Sequence, residues 1–121
     1  MNTPGLYYGN CMKYIEIDSF NNHNIIISNN NKTSIPIFFI HGFTGTSECW
    51  IEIINNLKIE SYAINIPGHG KSLFNNLEDE YSVRDWVNNF KFVLKQLRID
   101  RISLCGYSMG GRLAMAFASS Y

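Results

Sequence analysis

Apolar residues recur along this chain at spacings that predict strands alternating with helices. Residues 13–18 alternate polar and apolar positions and residues 24–28 contain three consecutive isoleucines, so we expect an amino-terminal β-hairpin there. Residues 35–41 form a near-continuous apolar run, which is typical of a strand covered on both faces. Residues 61–66 and 101–107 are predicted as two further strands.

Three helices are predicted between and after these strands. Thr46 or Ser47 can cap the first, whose apolar stripe consists of Trp50, Ile53, Ile54 and Leu57. Ser82 caps the second, with Asp85 in its first turn and apolar positions at Val83, Trp86, Val87, Phe90, Val93, Leu94 and Leu97. Residues 109–119 predict the third helix. The order hairpin, β, α, β, α, β, α indicates an α/β fold, in which parallel strands follow the hairpin and helices cover both faces.

Composition and charge narrow the class of protein. The 121 residues are 45% hydrophobic and carry ten basic and ten acidic side chains, which argues against a disordered chain and against a nucleic-acid partner. The apolar runs are far shorter than the ~20 residues of a membrane span, and no signal peptide is recognisable, so we expect a cytoplasmic protein without a membrane partner.

The cysteines and the asparagines of this chain do not lead to a functional prediction. Cys11, Cys49 and Cys105 lie far apart and form no CxxC pair, so we interpret them as buried or half-buried thiols and predict no metal site. The asparagine-rich residues 21–31 are interpreted as polar hairpin and loop sequence.

The clearest chemical motif is Gly-Tyr-Ser-Met-Gly at residues 106–110, between a predicted strand and a predicted helix. It fits the G-x-S-x-G nucleophile elbow, in which a tight turn exposes the serine and glycines allow the backbone segments to approach closely. An ordinary glycine-rich turn is the alternative. The motif predicts Ser108 as a catalytic residue.

A second segment, His-Gly-Phe-Thr-Gly at residues 41–45, follows the third predicted strand. In an elbow enzyme, two backbone N–H groups stabilise the oxyanion, and here Met109 and Phe43 are the candidates. We interpret His41 as a structural histidine that bonds its own loop. Residues 67–72 are turn sequence, and His69 within them is not favoured as the catalytic base.

Arg112 lies four residues after Ser108 and therefore projects from the same helix face, one turn along. A guanidinium near a helix amino end suits a substrate carboxylate. A surface arginine paired with an acidic side chain fits the spacing equally well.

The third strand with His41 and Gly42, the loop at residues 67–72 and the elbow at residues 106–111 resemble the α/β-hydrolase superfamily in order and spacing, over about residues 35–119. The sequence from Tyr107 to Arg112 also resembles the elbow of the 2-succinyl-6-hydroxy-2,4-cyclohexadiene-1-carboxylate synthases, which eliminate pyruvate. This resemblance implies that Ser108 acts in proton abstraction and that Tyr107 and Arg112 contact a small, carboxylate-bearing substrate. No cofactor is indicated.

In this superfamily the acid and the histidine of the triad follow the serine, yet residues 109–121 contain neither. We therefore expect residues 1–121 to be a partial domain, the amino-terminal half of an α/β-hydrolase fold truncated after the elbow helix, and inactive alone. The strand before Ser108 would form an open sheet edge, leaving Leu113, Met115 and Phe117 partly uncovered and favouring self-association. A carboxylesterase acting through an acyl-enzyme and a short non-catalytic α/β module are the alternative interpretations.

Overall fold

The computed structural model describes residues 12–19, 22–42, 45–66 and 82–120. Its strands are β1 (Lys13–Ser19), β2 (Asn22–Ser28), β3 (Ile37–Ile40), β4 (Ser61–Ile64) and β5 (Ser103–Gly106). A 3-10 turn (Ser47–Trp50) leads into helix α1 (Ile51–Asn56), and two longer helices follow, α2 (Val83–Gln96) and α3 (Met109–Ser120). Every predicted strand and helix is present, most of the strands over fewer residues than predicted.

The five strands form one mixed sheet in the order β1-β2-β4-β3-β5. β1 pairs with β2 and β2 with β4 in antiparallel fashion, whereas β3 lies parallel to both β4 and β5. This arrangement confirms the prediction of a hairpin followed by parallel strands. The carboxyl ends of β3, β4 and β5 consequently lie at the same end of the sheet.

Helices cover both faces of the sheet, as predicted. Phe38 and Ile40 of β3 belong to the larger core cluster, which α2 and α3 complete with Trp86, Phe90 and Phe117. Phe39, between them in β3, belongs to the smaller cluster that α1 completes on the opposite face. Because successive side chains of a strand point to opposite faces, the apolar run of β3 supplies both cores.

The first helix differs from the prediction in its buried face. Ile54 is buried, but Ile53 is 47% exposed, and Ile51 is buried instead. The helix begins as a 3-10 turn, whose tighter winding shifts the angular positions of the residues that follow. Thr46 is its cap, accepting a hydrogen bond from the Glu48 N–H at 3.3 Å.

The cap predicted for α2 at Ser82 is present, and Asp85 completes it as a reciprocal capping box. Ser82 Oγ accepts a hydrogen bond from the Asp85 N–H, and the Asp85 carboxylate accepts one from the Ser82 N–H. Val83 is 53% exposed, contrary to its assignment to the apolar face, because it lies in the first turn, before the helix reaches the core.

Two expectations about burial are wrong in part, those for the apolar residues of α3 and for the cysteines. Leu113 and Phe117 are buried against α2 and the sheet, so only Met115, at 68% exposure, lacks cover. Cys49, in the 3-10 turn before α1, and Cys105, in the edge strand β5, are exposed, while Cys11 lies outside the described residues. In the asparagine-rich segment, Asn24 and Asn29 are buried, because each of their side chains bonds groups on other elements.

Candidate functional site

The strand-to-helix junction around Ser108 is a very tight turn. β5 ends at Gly106 and α3 begins at Met109, so only Tyr107 and Ser108 connect them. Ser108 has a φ of 56°, in the left-handed region that non-glycine residues seldom adopt. Its carbonyl accepts a hydrogen bond from the Gly111 N–H at 2.9 Å. The turn holds Ser108 exposed at the end of the sheet where the carboxyl ends of the parallel strands lie.

Two glycines make this turn sterically possible. A Cβ atom at Gly106 would lie 2.3 Å from the carbonyl oxygen of Gly110. A Cβ atom at Gly110 would lie 2.2 Å from the carbonyl oxygen of Ile40. Both contacts are with backbone atoms, which cannot rotate away as a side chain can. The elbow motif therefore has its physical basis here in the close contact of α3 with β5 and the end of β3.

The segment after β3 lies directly against the elbow. A Cβ atom at Gly42 would lie 2.9 Å from Cδ2 of Tyr107 and 3.3 Å from Cβ of Ser108. Met109 is the first residue of α3, so its N–H is among those without a partner inside the helix. Phe43, the other predicted donor, lies outside the described residues.

His41 is fully buried and engaged in hydrogen bonds. Its Nδ1 lies 2.7 Å from the Gly42 carbonyl oxygen, and its Nε2 accepts a hydrogen bond from the Ile66 N–H at 2.9 Å. This geometry agrees with the interpretation of His41 as a structural histidine. The loop at residues 67–72, with His69, lies outside the described residues.

Tyr107 and Arg112 are both exposed next to Ser108, Tyr107 to 68%. Arg112 donates its backbone N–H to the Ser108 carbonyl at 3.2 Å, so its side chain begins one helical turn from the serine. Among the described residues, Arg112 forms no ion pair. Its positive charge is thus available to an anion beside the amino end of α3.

The described residues offer neither a cluster of metal-binding side chains nor a membrane-spanning helix. They contain no group of three or more histidine, cysteine, aspartate or glutamate side chains placed to hold a metal ion. They also contain no helix that is long and apolar enough to cross a membrane.

Two contacts of the site could not be found from the sequence. The approach of Gly42 to Tyr107 and the bond between His41 and Ile66 join segments that are far apart in the chain. Both depend on the sheet order, in which β3 lies between β4 and β5. The only local signal was the pair of glycines around Phe43.

The comparisons with known proteins agree with this geometry. A family model of the α/β hydrolase fold matches residues 35–121. A Bacillus subtilis protein named as a 2-succinyl-6-hydroxy-2,4-cyclohexadiene-1-carboxylate synthase is 36% identical over 90 residues, covering 73% of this chain and 32% of that protein. A Mycoplasma pneumoniae protein named as an esterase/lipase is 35% identical over 81 residues, covering 66% and 30%.

The fold is also shared with solved structures. The haloalkane dehalogenase DatA from Agrobacterium tumefaciens superposes with a TM-score of 0.78 at 20% identity, over 97% of this chain and 40% of that one. The chain therefore belongs to the α/β-hydrolase fold family, whose members include hydrolases and lyases. It spans about a third of the length of the two curated relatives.

Proposed function

We propose that this chain supplies the nucleophile region of an α/β-hydrolase-fold lyase that eliminates pyruvate from 2-succinyl-5-enolpyruvyl-6-hydroxy-3-cyclohexene-1-carboxylate. The product would be 2-succinyl-6-hydroxy-2,4-cyclohexadiene-1-carboxylate. The positive φ of Ser108, in a turn that Gly106 and Gly110 make possible, carries its role as the reactive serine. The 36% identity to the Bacillus subtilis protein named as a synthase supports the lyase reaction. A serine is held in such a conformation where function outweighs the conformational cost.

In the proposed reaction, Ser108 Oγ takes part in removing a ring proton. The electron pair of the broken C2–H bond forms the C2=C3 bond, the C3=C4 pair moves to C4=C5, and the C5–O bond breaks. The enolate of pyruvate that leaves takes up a proton at its CH2 carbon, so that the proton lost from the ring is balanced by the one gained by pyruvate. Backbone N–H groups of Met109 and Phe43 would stabilise the negative charge that develops on a substrate oxygen. The acid and histidine that would activate Ser108 are not among residues 109–121.

Arg112 and Tyr107 are the proposed substrate-binding residues. The substrate carries carboxylates, and Arg112 is exposed, free of ion pairs among the described residues, and next to the amino end of α3. A guanidinium binds a carboxylate through two parallel hydrogen bonds, which fixes orientation as well as affinity. This positive group favours an anionic substrate over a neutral ester.

The second candidate is a carboxylesterase, supported by the 35% identity to the Mycoplasma pneumoniae protein named as an esterase/lipase. Here Ser108 would attack the ester carbonyl, expel the alcohol and form an acyl-enzyme that water then hydrolyses. The same elbow and the same two N–H groups serve this reaction, so the geometry of Ser108 alone does not separate the two.

A kinetic comparison in the full-length protein separates them. We expect the protein to release pyruvate from the enolpyruvyl substrate, which is measured as the oxidation of NADH by added lactate dehydrogenase. We expect only slow turnover of p-nitrophenyl acetate. Arg112→Gln should raise KM for the enolpyruvyl substrate by about 10-fold or more, because a charged hydrogen bond is lost. Arg84→Gln, on α2, is the matched control. Rapid ester turnover without pyruvate release would reject the lyase in favour of the esterase.

A further inference from the structure

A groove of about 510 Å³ runs between helices α2 and α3. Val83 and Val87 of α2 and Ala116 of α3 contribute apolar surface to it. Arg84 and Lys91, also on α2, add positive charge, and none of the described residues that line the groove is acidic. The groove therefore suits an occupant that combines negative charge with an apolar side chain.

Arg84 lies in the groove near the start of α2. Its side chain is exposed and forms no ion pair within the described part of the chain. Val83, the preceding residue, is an exposed apolar side chain. A charged group and an apolar group thus lie next to each other at this end of the groove, and both are accessible.

The 3-10 turn and helix α1 carry the complementary combination. Glu48 and Glu52 are exposed and lie four residues apart, about one helical turn. Glu48 accepts a hydrogen bond from the Tyr14 hydroxyl at 3.5 Å, whereas Glu52 forms no ion pair in the ranges that the structure describes. Ile53, next to Glu52, is an exposed apolar side chain. This surface therefore matches the groove in charge and in apolar character.

Helix α1 cannot reach the groove of its own molecule. It packs on one face of the sheet with the smaller core cluster, whereas α2 and α3 pack on the other face with the larger one. Only a second copy of the chain can bring its α1 to the groove. For the same reason, one partner cannot occupy both surfaces of a molecule at once. The contact therefore joins two different patches and repeats from copy to copy.

We propose that α1 of one copy of this protein docks in the groove between α2 and α3 of a second copy. Glu52 pairs with Arg84, and Ile53 packs against Val83. A contact about two helical turns long is smaller than the roughly 1,200–2,000 Å² of stable interfaces, so the association is weak and depends on concentration. Because the contact repeats, the oligomers grow beyond a dimer. The association does not depend on the reaction proposed above.

Charge reversal tests the pairing in the full-length protein. Arg84→Glu and Glu52→Arg each place like charges across the contact, so we expect each variant alone to self-associate about 10-fold more weakly than the wild type. In an equimolar mixture of the two variants, every groove again meets a side chain of opposite charge. We therefore expect the mixture to associate nearly as strongly as the wild type. Sedimentation velocity over a concentration series measures all four samples.

Recovery on mixing also shows that both variants are folded, since an unfolded variant could not restore the contact. Lys13→Glu is the matched control, because it reverses a charge on β1, outside both surfaces, and should associate as the wild type does. A wild type that stays monomeric at all concentrations overturns the proposal, and so does a mixture that fails to recover. Association that persists in both single variants overturns it as well and indicates a different contact, such as pairing of the exposed strand β5.

Discussion

Ser108 combines an exposed hydroxyl with an unfavourable backbone conformation. A left-handed φ costs a residue with a Cβ atom roughly 1–2 kcal/mol, and glycine avoids most of this cost. A glycine at position 108 would therefore serve the turn better, yet it has no hydroxyl. At the scale of the single residue, chemistry and stability make opposite demands on this position.

This conflict predicts that glycine is more stabilising than alanine at position 108, the reverse of their order in a helix. Ser108→Gly should be more stable than Ser108→Ala by about 1 kcal/mol, because only alanine keeps the cost of the left-handed φ. Ser119, exposed in α3, is the matched control, since Ser119→Gly should be less stable than Ser119→Ala by about the same amount. Urea denaturation measures all four free energies of unfolding. Greater stability of the alanine variant at both positions would contradict the strained turn.

The contact between α3 and β3 makes a second prediction. Gly110→Ala should lower the free energy of unfolding by about 1–3 kcal/mol or more, because its methyl group would meet the backbone carbonyls of Ile40 and His41. Gly111→Ala is the control, since its nearest contact of 3.3 Å needs only a small shift. Thermal unfolding followed by circular dichroism compares them. Equal melting temperatures would argue against the close approach.

Helix α2 illustrates how much of an element its own sequence specifies. Its cap, its acidic first-turn residue and its apolar face all follow from local spacing, and the structure contains all three. The buried amide pair between Asn24 and Asn89, which joins β2 to α2, could not be predicted. Both asparagines occupy positions where a polar residue suggests exposure, and only the folded arrangement brings them together.

The capping box makes α2 sensitive to acid. Hydrogen bonds from the backbone and side chain of Ser82 lower the pKa of Asp85 below its ordinary value of about 3.9. The ionised carboxylate therefore contributes stability at neutral pH, and this contribution is lost as the pH falls through the lowered pKa. Asp85→Asn should flatten the fall in stability that the wild type shows as the pH drops below about 5. An unchanged pH profile in urea denaturation would contradict this role.

At the scale of the whole molecule, the two edges of the described sheet differ. β1 carries Lys13, Glu16 and Asp18, charges that discourage pairing with another strand, whereas β5 carries none. The N–H of Ser103 donates to the carbonyl of Pro36, just before β3, and the N–H of Tyr107 donates to the carbonyl of Ile40 in β3. Because alternate residues of a strand face opposite sides, Leu104 and Gly106 direct theirs outward.

We propose that this edge of β5, which pairs with no further strand among the described residues, makes the 121-residue chain associate with a second copy through antiparallel pairing of β5. Sedimentation velocity should show concentration-dependent oligomers. Cys105→Lys should shift the chain towards monomer by adding a charge to the exposed edge, while Cys105→Ser should behave as the wild type. A monodisperse monomer at all concentrations, with a cooperative urea transition, would contradict this association.

For the site as for the fold, the sequence predicts features that depend on neighbouring residues and does not predict contacts between distant segments. Residues 106–110 and the turn that they form were predictable, because the steric need for glycine acts over five consecutive residues. The bonds of His41 were not, because Ile66 reaches it only after β3 and β4 have paired. Steric constraints between adjacent residues can be predicted from the local sequence. Contacts between strands can be predicted only once the order and register of the strands in the sheet are known.

The most direct test of the central proposal, that Ser108 is the catalytic serine of a pyruvate-eliminating lyase, is the rate of pyruvate release by the full-length protein and its Ser108→Ala variant. We expect the wild type to release pyruvate and the variant to lose about 1,000-fold or more in kcat while remaining folded. Equal rates in a folded Ser108→Ala variant, or no pyruvate from the wild type, would contradict the proposal.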